Sequence, residues 1–294
     1  FLKNHDFTIT GSDIKLSNRV KHLISINIEV MIGHKKNNIK NSDLIVYSSA
    51  ISINNPEIIE GKDNNIPVIK RAELLGELMK IKEISIAVAG THGKTTTSSM
   101  IGNILHEAGM DPTIITGGII NKFNSNNISG SGNIMVVEAD EFDKSFLSMS
   151  PTYTTINNIE LEHLDIYKDI NDIKETFIKY ANSIPFYGLI SLCNDSKHAK
   201  EITNKINRTI ITFGIDEDSD ITAENIQYKN STTTFTANDK KKKTKFELIV
   251  PGKHNVYNAL AAISICNAIK IKEKYIKIGL KKFNGVKRRF EIKY

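Results

Sequence analysis

Short apolar runs rich in β-branched residues recur along the chain at positions 7–10, 44–47, 84–89, 134–138, 153–157 and 189–192, with helix-length stretches between several of them. This alternation predicts strands joined by crossover helices, and hence a parallel α/β architecture. Residues 71–79 read as a helix that carries the chain to a domain boundary near residues 80–83. Farther on, Met100, Ile101, Ile104, Leu105 and Ala108 fall on one helical stripe, and Gly109 can end that helix in the left-handed conformation. Thr-rich positions 232–236 and apolar positions 246–250 flank a run of lysines, Lys240 to Lys243 and Lys245, the pattern of a hairpin with a charged tip. No internal repeat is visible.

A chain of 294 residues exceeds the usual single core and predicts about two domains. No apolar run approaches the roughly 20 residues that cross a bilayer, and residues 1–6 do not form a signal peptide. The expectation is a soluble cytoplasmic protein without a membrane partner. Cys193 and Cys266 are the only cysteines and lack metal-ligand spacing, so they read as small buried apolar side chains. The formal charge of +6 is spread along the chain. The lysine run has no aromatic residues interleaved, which argues against a nucleic-acid partner.

The chemistry concentrates at the carboxyl ends of three expected strands. After the run at 84–89 comes Gly90-Thr91-His92-Gly93-Lys94-Thr95-Thr96-Thr97, followed by the amphipathic helix. Two glycines let backbone N–H groups approach an anion, a helix N-terminus favours it, and a Lys/Thr pair adds a cation and a Mg²⁺ ligand. The spacing departs from the common nucleotide loop, because the first glycine should fall at Val88 and Gly90 opens a shorter turn. The ligand this pattern implies is a nucleoside triphosphate. After the run at 134–138 lie Glu138, Asp140, Glu141 and Asp143, with Glu138 the first carboxylate out of the strand and so the best metal ligand. After the run at 153–157 lie Asn158, Glu160, Glu162, His163 and Asp165, where His163 suits a metal or phosphate role. Asn255 and Asn258, spaced to share a helical face, open an apolar helix ending near Ile269. Gly117-Gly118 reads as a turn, and Tyr47-Ser48-Ser49-Ala50 ends an earlier strand. Residues 7–13 look like the second strand of a dinucleotide-type fold ending in acidic Asp13, so a first strand with its glycine-rich turn would lie upstream of residue 1.

Five motifs in order, Gly-Thr-His-Gly-Lys-Thr-Thr-Thr at 90–97, Glu-Ala-Asp-Glu at 138–141, Asn-Ile-Glu-Leu-Glu-His-Leu-Asp at 158–165, Gly-Lys-His-Asn-Val-Tyr-Asn-Ala at 252–259 and Gly-Val-Lys-Arg-Arg-Phe-Glu at 285–291, resemble the Mur ligases, ATP-dependent amide-forming enzymes of bacterial cell-wall synthesis. The resemblance implies a partial Rossmann-like UDP-sugar domain at 1–81, a central P-loop-type, mostly parallel-sheet ATPase domain at 82–288, and the start of a further domain at 289–294. In detail the motifs are most similar to the branch whose substrates are UDP-N-acetylmuramate and L-alanine. The alternatives are the branch that recycles murein tripeptide onto the same UDP-sugar and, for this chain alone, a nucleotide-binding module without turnover.

The roles implied by the resemblance are specific. Gly90 to Thr96 would hold ATP, with Lys94 on the β- and γ-phosphates. Thr95 and Glu138 would share one Mg²⁺, and His163 would hold a second ion near an acyl phosphate. Asn255 and Asn258 would serve the nucleotide, and Arg289, next to Arg288, would reach the γ-phosphate or acyl phosphate. Gly117-Gly118 would line the sugar-carboxylate pocket and Tyr47 to Ala50 would face UDP. No carbamylated lysine is implied, which leaves Lys174 and Lys179 as helix-surface residues, and the oligomeric state stays open.

Overall fold

A computed structural model describes residues 2–229 and 231–287. Its contacts divide the chain into two compact units, residues 1–75 and 76–294. The first unit contains β1 (Thr10–Asp13), α1 (Asn18–Ser25), β2 (Glu29–Ile32), β3 (Ile45–Tyr47), α2 (Pro56–Asp63) and β4 (Val68–Lys70). Its strands form two separate parallel pairs, β1 with β2 and β3 with β4. Glu57, in the first turn of α2, ties β1 to the turn that follows β2 by accepting from the Ser12 hydroxyl (2.6 Å) and the Asn38 amide (2.6 Å). The first strand lies later than its apolar pattern suggests. Phe7 is exposed, and the hydrogen-bonded register runs from Thr10↔Glu29 to Asp13↔Ile32, because a strand is defined by the partner it pairs with rather than by β-propensity. Asp13 does end that strand.

Helix α3 (Arg71–Lys80) leads to the second unit, which is built on one ten-stranded sheet. Its elements are β5 (Ile84–Ala89), α4 (Lys94–Glu107), β6 (Thr113–Ile120), β7 (Ser125–Ile128), β8 (Ile134–Glu138), β9 (Tyr153–Ile156), α5 (Ile170–Ser183), β10 (Leu189–Cys193), α6 (Lys197–Glu201), β11 (Thr209–Gly214), β12 (Ile221–Lys229), β13 (Thr232–Asn238), β14 (Lys243–Leu248), α7 (Lys253–Ala268) and α8 (Glu273–Lys281). The strand order is β14-β13-β12-β11-β10-β9-β5-β8-β6-β7. Pairing is parallel from β6 through β12 and antiparallel at the two ends.

Strand β5 sits between β8 and β9 in this order. The chain leaves β5 toward β6, returns through β8 and then crosses to β9 on the other side, so β5 is a topological switch point, where ligands bind in open α/β sheets. The residues of β5 from Ser85 to Ala89 are buried, as a central parallel strand covered on both faces requires. Helix α4 buries the expected stripe of Met100, Ile101, Ile104 and Leu105 completely, and Gly109 beyond its end has φ +74°. Helix α7 is buried along most of its length, because it packs against α4, α8 and strands β9 to β13.

The glycine pair at 117–118 is not a turn, since β6 runs straight through it. Its pairing with β7 is irregular between Ile115 and Ile120, which leaves the Gly117 N–H free to donate to Glu138 Oε1 at 2.6 Å. The lysine-rich segment joins β13 and β14 as a hairpin, and its ammonium groups reach carboxylates: Lys240 to Asp220 (3.6 Å), Lys243 to Glu224 (2.6 Å), and Lys242 to Glu273. No described helix is long and apolar enough to cross a membrane.

The α4–α8 crossing is set by a glycine. A Cβ on Gly279 would come 2.5 Å from the backbone Cα of Ile104, and the Gly279 carbonyl accepts from the Asn103 amide at 2.6 Å. Gly279→Ala should therefore push the helices apart and lower stability by about 1–3 kcal/mol. Urea denaturation checks this, with the midpoint falling at unchanged slope.

Candidate active site

The end of β5 and the start of α4 are joined by four residues, Gly90 to Gly93. The chain turns back on itself there only because both glycines take positive φ, +127° at Gly90 and +82° at Gly93. A Cβ on Gly90 would press to 3.0 Å on the backbone nitrogens of Asn157 and Asn158, and one on Gly93 to 2.4 Å on Asn258 Oδ1. Helix α4 thus begins at Lys94 with its unpaired N–H groups and the positive end of its dipole beside the loop.

The neighbouring strand end ties this loop down. The Thr91 N–H donates to the Asn158 carbonyl (3.1 Å), the His92 N–H to Asn158 Oδ1 (2.7 Å), and the Glu160 N–H to the Thr91 hydroxyl (2.9 Å). One residue earlier, the Asn157 amide donates to Thr97 Oγ1 (2.9 Å), which in turn donates to Asn258 Oδ1 (3.2 Å). Asn255 is held by its own helix turn, its amide donating to the Pro251 carbonyl at 2.7 Å. A buried polar chain therefore links β9, α4 and α7 behind the loop.

Beside the loop lie the acidic residues that follow β8. The Thr95 hydroxyl donates to Glu138 Oε2 at 3.0 Å, and Glu138 Oε1 is held by the Gly117 N–H. Lys94 Nζ donates to the carbonyls of Gly90 (2.8 Å) and Thr91 (3.3 Å) and to Glu141 Oε2 (2.7 Å). His163, at φ +58°, places Nε2 3.7 Å from Glu141 Oε1 and stacks edge-on against Phe142 with ring centroids 4.9 Å apart. The fold thus gathers Gly90 to Thr96, Glu138, His163, Asn255 and Asn258 around one helix N-terminus. Arg288 and Arg289 lie outside the described residues. Among the described residues, no group of three or more His, Cys, Asp or Glu side chains could hold a metal ion by itself.

On the other flank of the loop a cavity of about 830 Å³ opens from His92, Gly93 and Thr96. Asn255, Asn258, Tyr257 and His254 of α7 line it, together with Asp195 and Ile159. Asp195 shapes this wall by accepting from the N–H groups of Ile215 (2.6 Å), Asp216 (2.9 Å) and Glu217 (2.8 Å) and from the Tyr257 hydroxyl (2.7 Å). Burial pushes its pKa up, but these hydrogen bonds outweigh burial and hold the carboxyl below the usual range. Desolvation lowers the pKa of His254 and raises that of the lining thiol Cys193 to about 11, so the latter is an inert wall group rather than a nucleophile. Lys174 of α5 pairs with Glu201 at 3.0 Å on the surface.

Three contributors are not evident from motif reading. Glu141 lies in a recognised acidic run, but nothing in its spacing shows that it, rather than Asp140, meets Lys94. The Asn158 side chain and the Asp195 turn are likewise long-range, separated by 66 and 22 residues from the N–H groups of His92 and Glu217 that they bind. The only local sign was two consecutive asparagines at a strand end.

Comparison with known proteins agrees with this geometry. A model of the Mur ligase middle domain matches residues 88–266, and a model described as Mur ligase family, catalytic domain, matches residues 1–83. UDP-N-acetylmuramate–L-alanine ligases of Sulfurihydrogenibium sp. and Persephonella marina are 46% and 47% identical over the whole of this chain, which spans 64% and 63% of their lengths. The Thermotoga maritima UDP-N-acetylmuramate–alanine ligase structure superposes with a TM-score of 0.82 at 28% identity, covering 97% of this chain and 65% of that one. A murein peptide ligase from Psychrobacter arcticus gives a TM-score of 0.83 at 27% identity, covering 98% and 65%. With the middle-domain model alone spanning more than half of the residues, the chain belongs to the Mur ligase family.

Proposed function

We propose that this chain is the UDP-sugar-binding and ATP-binding part of a ligase that joins L-alanine to the carboxylate of UDP-N-acetylmuramate, a step in making peptidoglycan precursors. The observation that carries the reading is the Thr95–Glu138 pair, 3.0 Å apart at the N-terminus of α4, with Lys94 beside it and a cavity on the opposite flank. Residues 1–81 would bind the UDP-sugar, 82–288 would bind ATP, and 289–294 would begin a third domain. ATP as co-substrate places the reaction in the cytoplasm.

A carboxylate does not accept an amine until one of its oxygens becomes a leaving group. In the proposed reaction a muramoyl carboxylate oxygen attacks the γ-phosphorus, the bond to ADP breaks, and an acyl phosphate forms. The alanine amine then attacks the acyl carbon, losing a proton as phosphate departs. Both donor and acceptor are anions, so positioned positive charge governs the rate. Lys94 and the α4 N-terminus supply it on the protein side. The hard oxygens of Thr95 and Glu138 suit Mg²⁺, which takes one or two carboxylates and completes its shell with phosphate oxygens and water. Mg²⁺ would screen the phosphates and polarise the transferred group, with Thr95 and Glu138 holding one ion and His163 a second. The nucleoside would enter the cavity walled by Asn255, Asn258 and Tyr257.

The tripeptide-recycling activity is the second reading, favoured by the likeness to the Psychrobacter murein peptide ligase. Phosphate release by protein of the relatives' full length separates the two. Dependence on UDP-N-acetylmuramate together with L-alanine is expected, and a response to tripeptide alone would replace the first reading by the second. No UDP-sugar-dependent release with either acceptor would leave a nucleotide-binding module.

Lys94→Ala should abolish binding of a non-hydrolysable ATP analogue measured by calorimetry while leaving the thermal unfolding transition cooperative. Glu138→Gln should remove most of the Mg²⁺ enhancement of that binding, by at least about tenfold, read by titrating the analogue with and without Mg²⁺.

A further inference from the structure

Lys94 does not reach out of its loop. Its ammonium folds back over the Gly90 and Thr91 carbonyls onto Glu141, and both side chains are largely shielded, at 14% and 3% exposure. The Glu141 backbone is fixed from elsewhere, since its carbonyl accepts from the Tyr167 hydroxyl (2.5 Å) and the Lys144 N–H (3.0 Å). One carboxylate oxygen meets Lys94. The other, Oε1, is buried without a hydrogen-bond partner, 3.7 Å from His163 Nε2. The other carboxylates of the run are placed differently. Glu138 serves Thr95 and Gly117, Asp140 lies 3.9 Å from Nζ and is exposed, and Asp143 accepts from the Ser145 N–H.

We propose that Glu141 is a positioning residue that holds Lys94 against the carbonyls of its own loop and competes with the nucleotide phosphates for its ammonium. The inference rests on the nucleotide reading of the loop. Lys94 has one charge and, in this pose, its donors are spent on two carbonyls and one carboxylate, so an incoming phosphate must displace one of these acceptors, and Glu141 is the one that competes with it for the charge. Glu141 also places a buried negative charge next to the phosphate position, where shielding from solvent strengthens its repulsion of an anion. After the exchange its carboxylate still faces His163, on the side opposite to Lys94. The pairing therefore keeps the lysine ordered and neutralised until a phosphate displaces it, at the expense of affinity. A carboxylate that only supported the fold would act in the opposite sense, since its loss would slacken the loop and weaken binding.

The test is calorimetric titration of this chain with a non-hydrolysable ATP analogue and Mg²⁺, and separately with adenosine, in wild type, Glu141→Gln and Lys94→Ala. Glu141→Gln should tighten analogue binding roughly tenfold, because the phosphate supplies the counter-charge the variant lacks. It should leave adenosine binding unchanged. Glu141→Asp, which keeps the charge but withdraws it by one methylene, should return the affinity most of the way to wild type and serves if the glutamine variant does not fold. Looser or unchanged binding in Glu141→Gln, with Lys94→Ala still losing the ligand, overturns this inference alone. Analogue binding that is absent in wild type, or indifferent to Lys94→Ala, overturns the nucleotide reading and this inference with it.

Discussion

Strand β5 lies inside a parallel sheet, with hydrogen-bonded neighbours on both sides and covering layers on both faces, and the arrangement of the site follows from that constraint. A strand so enclosed cannot continue past its end, so its chain must turn out of the sheet at the carboxyl edge within a few residues. Gly90 and Gly93 make the turn possible by taking backbone conformations that would strain other residues. The turn delivers the N-terminus of α4 to the edge. Parallel pairing also puts the carboxyl ends of β8 and β9 on that same edge, so Glu138, Glu141, Asn158 and His163 arrive there without being near the loop in sequence.

What gathers at that edge is mostly charge, and the fold keeps it in balance. Helix N-terminus and Lys94 are positive; Glu138 and Glu141 are negative; Lys94 meets Glu141 Oε2 and Thr95 meets Glu138, while Glu141 Oε1 has no hydrogen-bond partner. Breaking a shielded ion pair such as Lys94–Glu141 by removing one partner costs roughly 3–5 kcal/mol. That exceeds the worth of an exposed pair such as Lys80–Glu77, typically below about 1 kcal/mol, so only the buried pair constrains where its side chains sit. The same shielding makes the site responsive to an anion, because a phosphate entering it meets little competing solvent.

The loop is also supported from behind. Asn157, Thr97 and Asn258 form a buried chain of hydrogen bonds from β9 through α4 to α7, and the side chain of Asn258 occupies the space a Cβ on Gly93 would need. Helix α7 therefore contributes twice, as the apolar cover of the sheet and as one wall of the cavity next to the loop. An almost uniformly apolar helix interrupted by Asn255 and Asn258 in its first two turns is consistent with both duties.

Period and local chemistry made much of this legible in the sequence. The strand at 84–89, the stripe of α4 and the Gly-Thr-His-Gly-Lys-Thr turn are local patterns, dictated by a buried strand's apolar run, a helix's repeat and the backbone freedom of glycine, and they stand in the structure where they were read; the lysine hairpin also forms, though its second strand takes in Lys243 and Lys245 and ends at Leu248. The first strand and the glycine pair at 117–118 were misplaced because both depend on a partner: β1 is located by its register with β2, and the glycines stay extended because β6 continues past them to pair with β7 at Ile120. The sequence by itself determined that the glycine loop and the polar clusters at 138–143 and 157–165 follow strand ends. Only the tertiary structure decided which carboxylate meets which cation, that Thr95 faces Glu138 while Lys94 faces Glu141, because that choice is made by strand order and by contacts spanning more than forty residues, to which no local pattern is sensitive.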